Sequence, residues 1–360
     1  MKQVVVSPTK PLVSTEIVDV EIPSPGDDQI LIQVIIASSN PKDFKHLYVR
    51  GISVNSGDDV AGYVHAMGNH VALTNEFKIG DRVAAFHPML TPGGAYAEYA
   101  LVPAATTFLI PKGVSFESAA TIPLTSMAAA LPLFRRQELP APWMKRSSNE
   151  PPLPLIIYGA SSALGTFAVK LARHANIHPI IAIAGSSASY VTKFLDESKG
   201  DTVIDYRQGP DKLKAAIKAA LKGLNVYHAL DCFSENKSWV PLSQVMSPGG
   251  TVSVFQGIEK YDELDIPSNV RISFSLVGTA HTGAFLPNSP RQPADPETVR
   301  GDTEFAYVFY RYVSRMLSTG EFEGHPYEII PGGLNGVRTG LQKLQRGEAK
   351  GVKYVYQVGE

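Results

Sequence analysis

The stretch Leu155-Ile156-Ile157-Tyr158-Gly159-Ala160-Ser161-Ser162-Ala163-Leu164-Gly165, followed by Thr166-Phe167-Ala168-Val169-Lys170-Leu171-Ala172, carries residue types that suit a pyrophosphate site. Side chains in such a turn must be small so that backbone N–H groups can approach the phosphates, and a helix that begins there adds aligned donors. Gly159, Ala160, Ser161, Ser162, Ala163, Leu164 and Gly165 make up the turn and the helix start. The glycine pattern of a dinucleotide site is only partly present, with Ser161 or Ser162 where a second glycine would stand. One reading is that a serine hydroxyl contacts phosphate directly. Taken alone, the match fits an ordinary strand-to-helix turn equally well.

The other chemistry-bearing types exclude more than they suggest. Cys232 is the only cysteine, which rules out an intrachain disulfide framework and every multi-cysteine zinc site. Nine histidines are present; one pair, His174 and His178, has His-x-x-x-His spacing, and each histidine reads as a surface or structural residue. Gly57-Asp58-Asp59-Val60-Ala61-Gly62 and Ile79-Gly80-Asp81-Arg82-Val83, taken by themselves, are turns before strands. A net charge of -1 offers no electrostatic footprint for nucleic acid or an anionic membrane, and no apolar run reaches the length of a membrane span. The expected setting is the reducing cytoplasm, with no cleaved signal.

The elements that must position these residues fall into two patterns. Residues 1 to about 110 are rich in strands, with β-branched runs at 3–6, 30–37 and 81–86, separated by Ser24-Pro25-Gly26-Asp27 and Pro92-Gly93-Gly94. An Ala-rich helical stretch covers 116–134. Pro140, Pro142, Pro151, Pro152 and Pro154 then predict an inter-domain loop over 136–154. Beyond it, strands near 155–158, 179–184, 202–205, 227–232, 251–255 and 272–277 come with helical patterns between the first pairs, which predicts a doubly wound parallel sheet. The Gly159 turn lies on the first of these strands, and that placement favours the dinucleotide reading. Residues 286–296, with four prolines, read as a surface loop. Phe305, Val308, Phe309, Tyr312, Val313, Met316 and Leu317 mark a helical stripe expected in the core.

The order of these pieces resembles the medium-chain dehydrogenase/reductase superfamily over nearly the whole chain. The motifs that carry the likeness are Asn40-Pro41-Lys42-Asp43, Gly57-Asp58-Asp59-Val60-Ala61-Gly62-Tyr63-Val64, Gly80-Asp81-Arg82-Val83, Gly94-Ala95-Tyr96-Ala97-Glu98-Tyr99, Tyr158 to Gly165, Ile204-Asp205-Tyr206-Arg207 and Leu230-Asp231-Cys232. Within the superfamily the chain is most similar to the zinc-free quinone-oxidoreductase and enoyl-reductase branch. More narrowly, Asn40-Pro41-x-Asp43-x-Lys45 and the Pro-rich insert resemble the trans-acting enoyl reductases of iterative polyketide synthases. The resemblance implies an α/β protein whose doubly wound parallel (Rossmann) sheet, residues 129–279, is inserted into a β-rich GroES-like catalytic domain, residues 1–128 and 280–360.

The resemblance also implies NADPH bound in a groove, and hydride transfer. Zinc relatives have Gly-His-Glu where Gly57-Asp58-Asp59 stands, so no three-ligand zinc site is expected. The second strand ends in neutral Ala184-Gly185-Ser186-Ser187. An acidic residue there would repel a 2′-phosphate. The family uses Ser, Lys and Tyr for that phosphate, which points to Gly185, Ser186, Ser187, Lys193 and Tyr206. The family lysine falls about where Tyr190 stands, so Lys193 is the less secure assignment, with a solvated helix residue as its alternative. For the nicotinamide end the resemblance points to Phe255, Gly278 and Thr279, while Asp231 fits equally a structural cap.

Conjugate reduction suits a site without metal. It needs a donor for the developing enolate oxygen and a proton source. By resemblance Lys45 is the candidate proton source or positioning group, Tyr48 is its rival, and both alternatively belong to a surface helix. The threonine that trans-acting relatives carry after Ala-Ala-x-x-Pro is replaced by Ala128, with Thr125 and Ser126 close by. The expected activity is NADPH-dependent reduction of an enoyl thioester or enone, free or tethered to a carrier, with a polyketide synthase as partner. The alternatives are quinone or carbonyl reduction and a non-catalytic NADPH-binding protein.

Overall fold

The structure is a computed structural model that describes residues 1–281 and 295–359. Two compact units divide the chain. The first comprises Met1–Leu124, Gly278–Phe285 and Asp295–Glu360; the second comprises Thr125–Val277 and Leu286–Ala294. The predicted loop over 286–296 lies, apart from its last two residues, outside the described residues.

The first unit opens with an antiparallel hairpin, β1 (Lys2–Ser7) and β2 (Ser14–Asp19), and continues with the long buried strand β3 (Gln29–Ser38). Helix α1 (Lys42–Arg50) follows, then β4 (Asp59–Met67), α2 (Asn69–Thr74), β5 (Arg82–Phe86), β6 (Tyr99–Pro103) and β7 (Thr107–Leu109). Strand β3 is the hub of the sheet, because it pairs antiparallel with both β4 and β6. Gly62 in β4 is required there: a Cβ would lie 2.0 Å from the Gln33 carbonyl oxygen. The predicted helical stretch over 116–134 divides into α3 (Phe116–Ala120), α4 (Pro123–Ala130) and a π-helical turn over Leu131–Arg136.

The second unit contains a six-stranded, wholly parallel sheet built from β8 (Leu155–Tyr158), β9 (Ile180–Ala184), β10 (Thr202–Asp205), β11 (His228–Asp231), β12 (Thr251–Val254) and β13 (Arg271–Phe274). Its spatial order is β10-β9-β8-β11-β12-β13, so the chain starts in the middle and winds outward in both directions, as in a dinucleotide-binding sheet. Helices α5 (Ala163–His174), α6 (Ala188–Thr192), α7 (Pro210–Leu221) and α8 (Trp239–Ser243) lie between its strands in sequence. The apolar runs show no alternation because the strands are covered on both faces; β9 is buried at all five positions.

The Pro-rich segment over 136–154 behaves differently from an inter-domain loop, since it belongs to the second unit. The Arg146 N–H donates to the Ala175 carbonyl at 3.1 Å and the Leu153 N–H to the His178 carbonyl at 2.7 Å. Proline denies this run a helix, but its backbone is still paired.

The chain returns to the first unit through α9 (Pro296–Ser318), β14 (Tyr327–Ile329), α10 (Gly336–Gln345) and β15 (Lys353–Gln357), whose Tyr356 pairs with Ala37 of β3. The buried face of α9 includes Ala306, Phe309, Tyr310, Val313, Met316 and Leu317, whereas Val308, expected in the core, is 46% exposed. It lies one position off the inward face, and each residue turns the helix by about 100°.

Candidate functional site

At the Gly159 turn the backbone explains each small residue. Gly159 has φ +72°, a left-handed conformation that favours glycine, and it turns the end of β8 towards α5. A Cβ on Gly165 would lie 2.3 Å from the Gly159 carbonyl oxygen, so α5 packs directly on the turn only because this position is glycine. Ser162 is the N-cap of α5, with φ -69° and ψ 163°, and its Oγ accepts the Gly165 N–H at 3.0 Å. That backbone is open to any residue, and capping selects serine, so no glycine is needed there. Ser162 is exposed and Ser161 half-buried, while Ala163 and Leu164 form the first turn of α5.

Beside this turn, the ends of β9 and β10 bring Gly185 and Tyr206 together. A Cβ on Gly185 would lie 3.0 Å from Tyr206 Cε1, and the Tyr206 ring centroid lies 5.6 Å from that of Tyr158. Gly159, Gly185, Ser186 and Tyr206 thus gather at the carboxyl ends of three adjacent parallel strands. Ser186 is exposed and Ser187 half-buried. Lys193 is exposed, and its Nζ lies 5.5 Å over the Tyr190 ring. Arg207 turns back on Asp205, with Nη2 to Oδ2 at 2.6 Å, and this hydrogen bonding holds the Asp205 carboxyl down at about 2.

Asp231, at the end of β11, is a cap. Its carboxylate accepts the N–H groups of Phe233 and Ser234 and the hydroxyl of Ser238. Burial pushes its pKa up to about 6 against those hydrogen bonds. After β12, the Phe255 N–H donates to Ser234 Oγ at 3.0 Å, so the Phe255 turn is anchored to the loop that Asp231 caps. Gly278 and Thr279 sit in a buried 3₁₀ turn over Val277–Ala280 that falls mostly in the first unit. The Thr279 hydroxyl donates to Asp302 at 2.6 Å.

In the first unit, charged residues from distant parts of the chain meet in one buried cluster around α1 and β4. Lys42 donates to the Ser56 carbonyl at 2.7 Å and contacts Asp43 Oδ1 at 2.9 Å as well as Asp58. Burial alone would lower the Lys42 pKa, yet these two carboxylates hold it above its usual value. Asp58 also meets His87 Nδ1 at 3.0 Å, and despite the cost of burial Lys42 and His87 keep it below the ordinary carboxylate range. Asp43, with one ammonium, is pushed up to about 6 by burial; it accepts the Tyr96 hydroxyl at 2.6 Å and the Asn40 N–H at 2.8 Å. Asp59 accepts from Lys353 at 2.6 Å, from Asn40 Nδ2 at 2.8 Å and from the Leu124 N–H at 2.6 Å. The motif residues Asn40, Asp43, Asp58, Asp59 and Tyr96 therefore converge. Lys42, from the same motif as Asn40 and Asp43, completes the cluster together with His87 and Lys353, which no motif contained, although a lysine in the apolar run Lys353-Tyr354-Val355-Tyr356 is a visible oddity.

Lys45 lies half-buried on α1, one turn beyond Lys42. The Tyr48 hydroxyl donates to the Thr9 carbonyl and accepts from Gln345 Nε2 at 3.3 Å, which ties α1 to the β1–β2 hairpin and α10. Thr125 and Ser126 are buried in α4, and Ala128 is half-buried.

A parallel sheet started at its centre, with a glycine turn on its first strand and with both sequence flanks folding into a β-rich unit, defines a medium-chain dehydrogenase/reductase. Family models agree: residues 26–112 match the alcohol dehydrogenase GroES-like domain and residues 163–292 match the model described as zinc-binding dehydrogenase. The trans-enoyl reductase fsr4 of Gibberella fujikuroi is 38% identical over 323 residues, which cover 89% of this chain and 88% of that relative. Among solved structures, CurK enoyl reductase aligns with a TM-score of 0.68 at 18% identity, covering 98% of each chain. A mycobacterial protein complexed with NADPH aligns at 0.70 and 19%, covering 99% of each. The chain belongs to the medium-chain dehydrogenase/reductase family, as an enoyl reductase-like oxidoreductase. Dehydrogenases of this family bind a nicotinamide cofactor, and the Gly159 turn fits its pyrophosphate. Among the described residues no group of three or more His, Cys, Asp or Glu is arranged to hold a metal ion, and Asp58 and Asp59 pair with Lys42 and Lys353. No helix among the described residues is long and apolar enough to cross a membrane.

Proposed function

We propose that the protein reduces an activated carbon–carbon double bond, in an enoyl thioester or enone, with NADPH and without a metal, on substrates delivered free or on the carrier of a polyketide synthase. The observation that carries this reading is the neutral edge formed by Gly159, Gly185, Ser186 and Tyr206, joined to the 38% identity with a trans-enoyl reductase. An edge without a carboxylate at the end of β9 favours a 2′-phosphate over a bare hydroxyl. Bound nicotinamide supplies the hydride, and the chain supplies position and a proton. Lys45 is the better candidate for the proton or for substrate positioning, because it aligns with a lysine at the same place in the trans-acting enoyl reductases; the rival Tyr48 hydroxyl bonds Thr9 and Gln345.

Following nicotinamide absorbance with enoyl thioesters of several lengths, enones and quinones tests this directly. Oxidation of NADPH that depends on the enoyl substrate is expected, and quinone-only turnover would replace the reading with its rival. Chelator treatment should leave the rate unchanged; a loss restored by zinc would overturn metal independence. Lys45→Ala should lower turnover by about 10²- to 10⁴-fold with little change in NADPH affinity, the range for a positioned general acid. Wild-type turnover in that variant would remove Lys45 from the chemistry.

A further inference from the structure

Helix α5 carries a lysine at its most buried stretch. Lys170 is 6% exposed, and such an ammonium is costly unless its charge is met. Its Nζ donates to the Tyr190 hydroxyl at 3.2 Å, and it lies 4.7 Å over the Phe194 ring, 5.3 Å over Phe167 and 5.5 Å over Tyr190. Aromatic faces attract a cation through the ring quadrupole, so the box holds a charge inside the α5–α6 layer. Lys193, just past α6, approaches the same Tyr190 ring at 5.5 Å. Tyr190 is one short turn beyond Gly185-Ser186-Ser187. The nearby Arg207 is paired with Asp205. Two ammonium groups thus converge on one half-buried tyrosine.

We propose that Lys170, acting through the Tyr190 hydroxyl, is the positioning residue that sets the preference for a cofactor with a 2′-phosphate. The ammonium donates to Tyr190 Oη, directs the phenolic hydrogen outward and strengthens it as a donor to a phosphate oxygen, while its positive charge favours a dianion over a neutral hydroxyl. This inference rests on the NADPH reading above.

Fluorescence titration of NADPH and NADH against the wild type, Lys170→Met, Tyr190→Phe and the double variant tests it. The wild type should prefer NADPH. Lys170→Met, an apolar near-isostere in an aromatic box, should weaken NADPH by about tenfold and leave NADH within about twofold, the scale of one charge-assisted hydrogen bond. Tyr190→Phe keeps the aromatic ring over the ammonium, removes only the hydroxyl, and should do the same. The double variant should lose no more than either single one, because both act through one hydroxyl. Equal weakening of both cofactors, or an unchanged NADPH to NADH ratio in Tyr190→Phe, would overturn the proposal. A wild type that binds NADH as tightly as NADPH would instead overturn the underlying reading, and the wild-type titration alone shows it.

Discussion

At the carboxyl ends of β8, β9 and β10 the outward-facing groups are a left-handed glycine, small residues, two exposed serines and a tyrosine ring. Around α1 and β4, by contrast, Lys42, Lys353, Asp43, Asp58 and Asp59 are packed together with their charges facing one another. The first region keeps backbone donors near an open edge, where an incoming phosphate can replace water at little cost. The second has its partners built in, and each carboxylate accepts from two or more groups of the chain. The difference separates two uses of polar groups: the charge-rich corner satisfies its charges within the chain, and the charge-poor edge is where the proposed function places the cofactor.

The largest expected effect breaks the architectural half. Lys42→Met leaves Asp43 and Asp58 buried without their shared cation, and removing one partner of a buried pair costs about 3–5 kcal/mol. The denaturation midpoint should fall accordingly. Arg207→Gln serves as the matched control, since it breaks an exposed pair on the second unit and should leave the midpoint unmoved. Equal stability of the two variants would mean that the cluster does not support the fold.

A middle-sized effect belongs to Gly165→Ala. The new methyl would meet the Gly159 carbonyl at 2.3 Å, and α5 must move off the turn. Overpacking of this kind costs about 1–3 kcal/mol. Because the turn itself shifts, NADPH affinity should fall with stability. Retained affinity in a destabilised variant would detach the turn from cofactor binding.

How much of this was legible in the sequence follows from the range of the interactions. The strands at 155–158 and 202–205 are local patterns bounded by turn residues, and they lie where the pattern puts them. Asp231, two residues before its donor partner Phe233, is equally local. Lys42 was not legible: it reads as an ordinary lysine beside an aspartate until folding brings Asp58 and His87 to it. Lys353 meets Asp59 across 294 positions, and no spacing rule spans that. Tyr48 looked available because its partners, Thr9 and Gln345, lie 39 and 297 positions away. Lys170 was not legible either: it follows Phe167 by one helical turn, but Tyr190 and Phe194 come from a different helix and its exit.

The smallest effect is the most discriminating, because Ser162 belongs to both sides of the comparison. Its Oγ caps α5 by accepting the Gly165 N–H, and a hydroxyl that accepts there can still donate to a phosphate. Ser162→Ala removes both roles and should cost about 1 kcal/mol of stability. Ser162→Asp separates them. The carboxylate remains a good N-cap, so the denaturation midpoint should stay near wild type, while a negative charge now faces the pyrophosphate. NADPH affinity in Ser162→Asp should then fall below that of Ser162→Ala. If the two variants bind NADPH alike, the turn is only a helix cap, and the phosphates lie elsewhere.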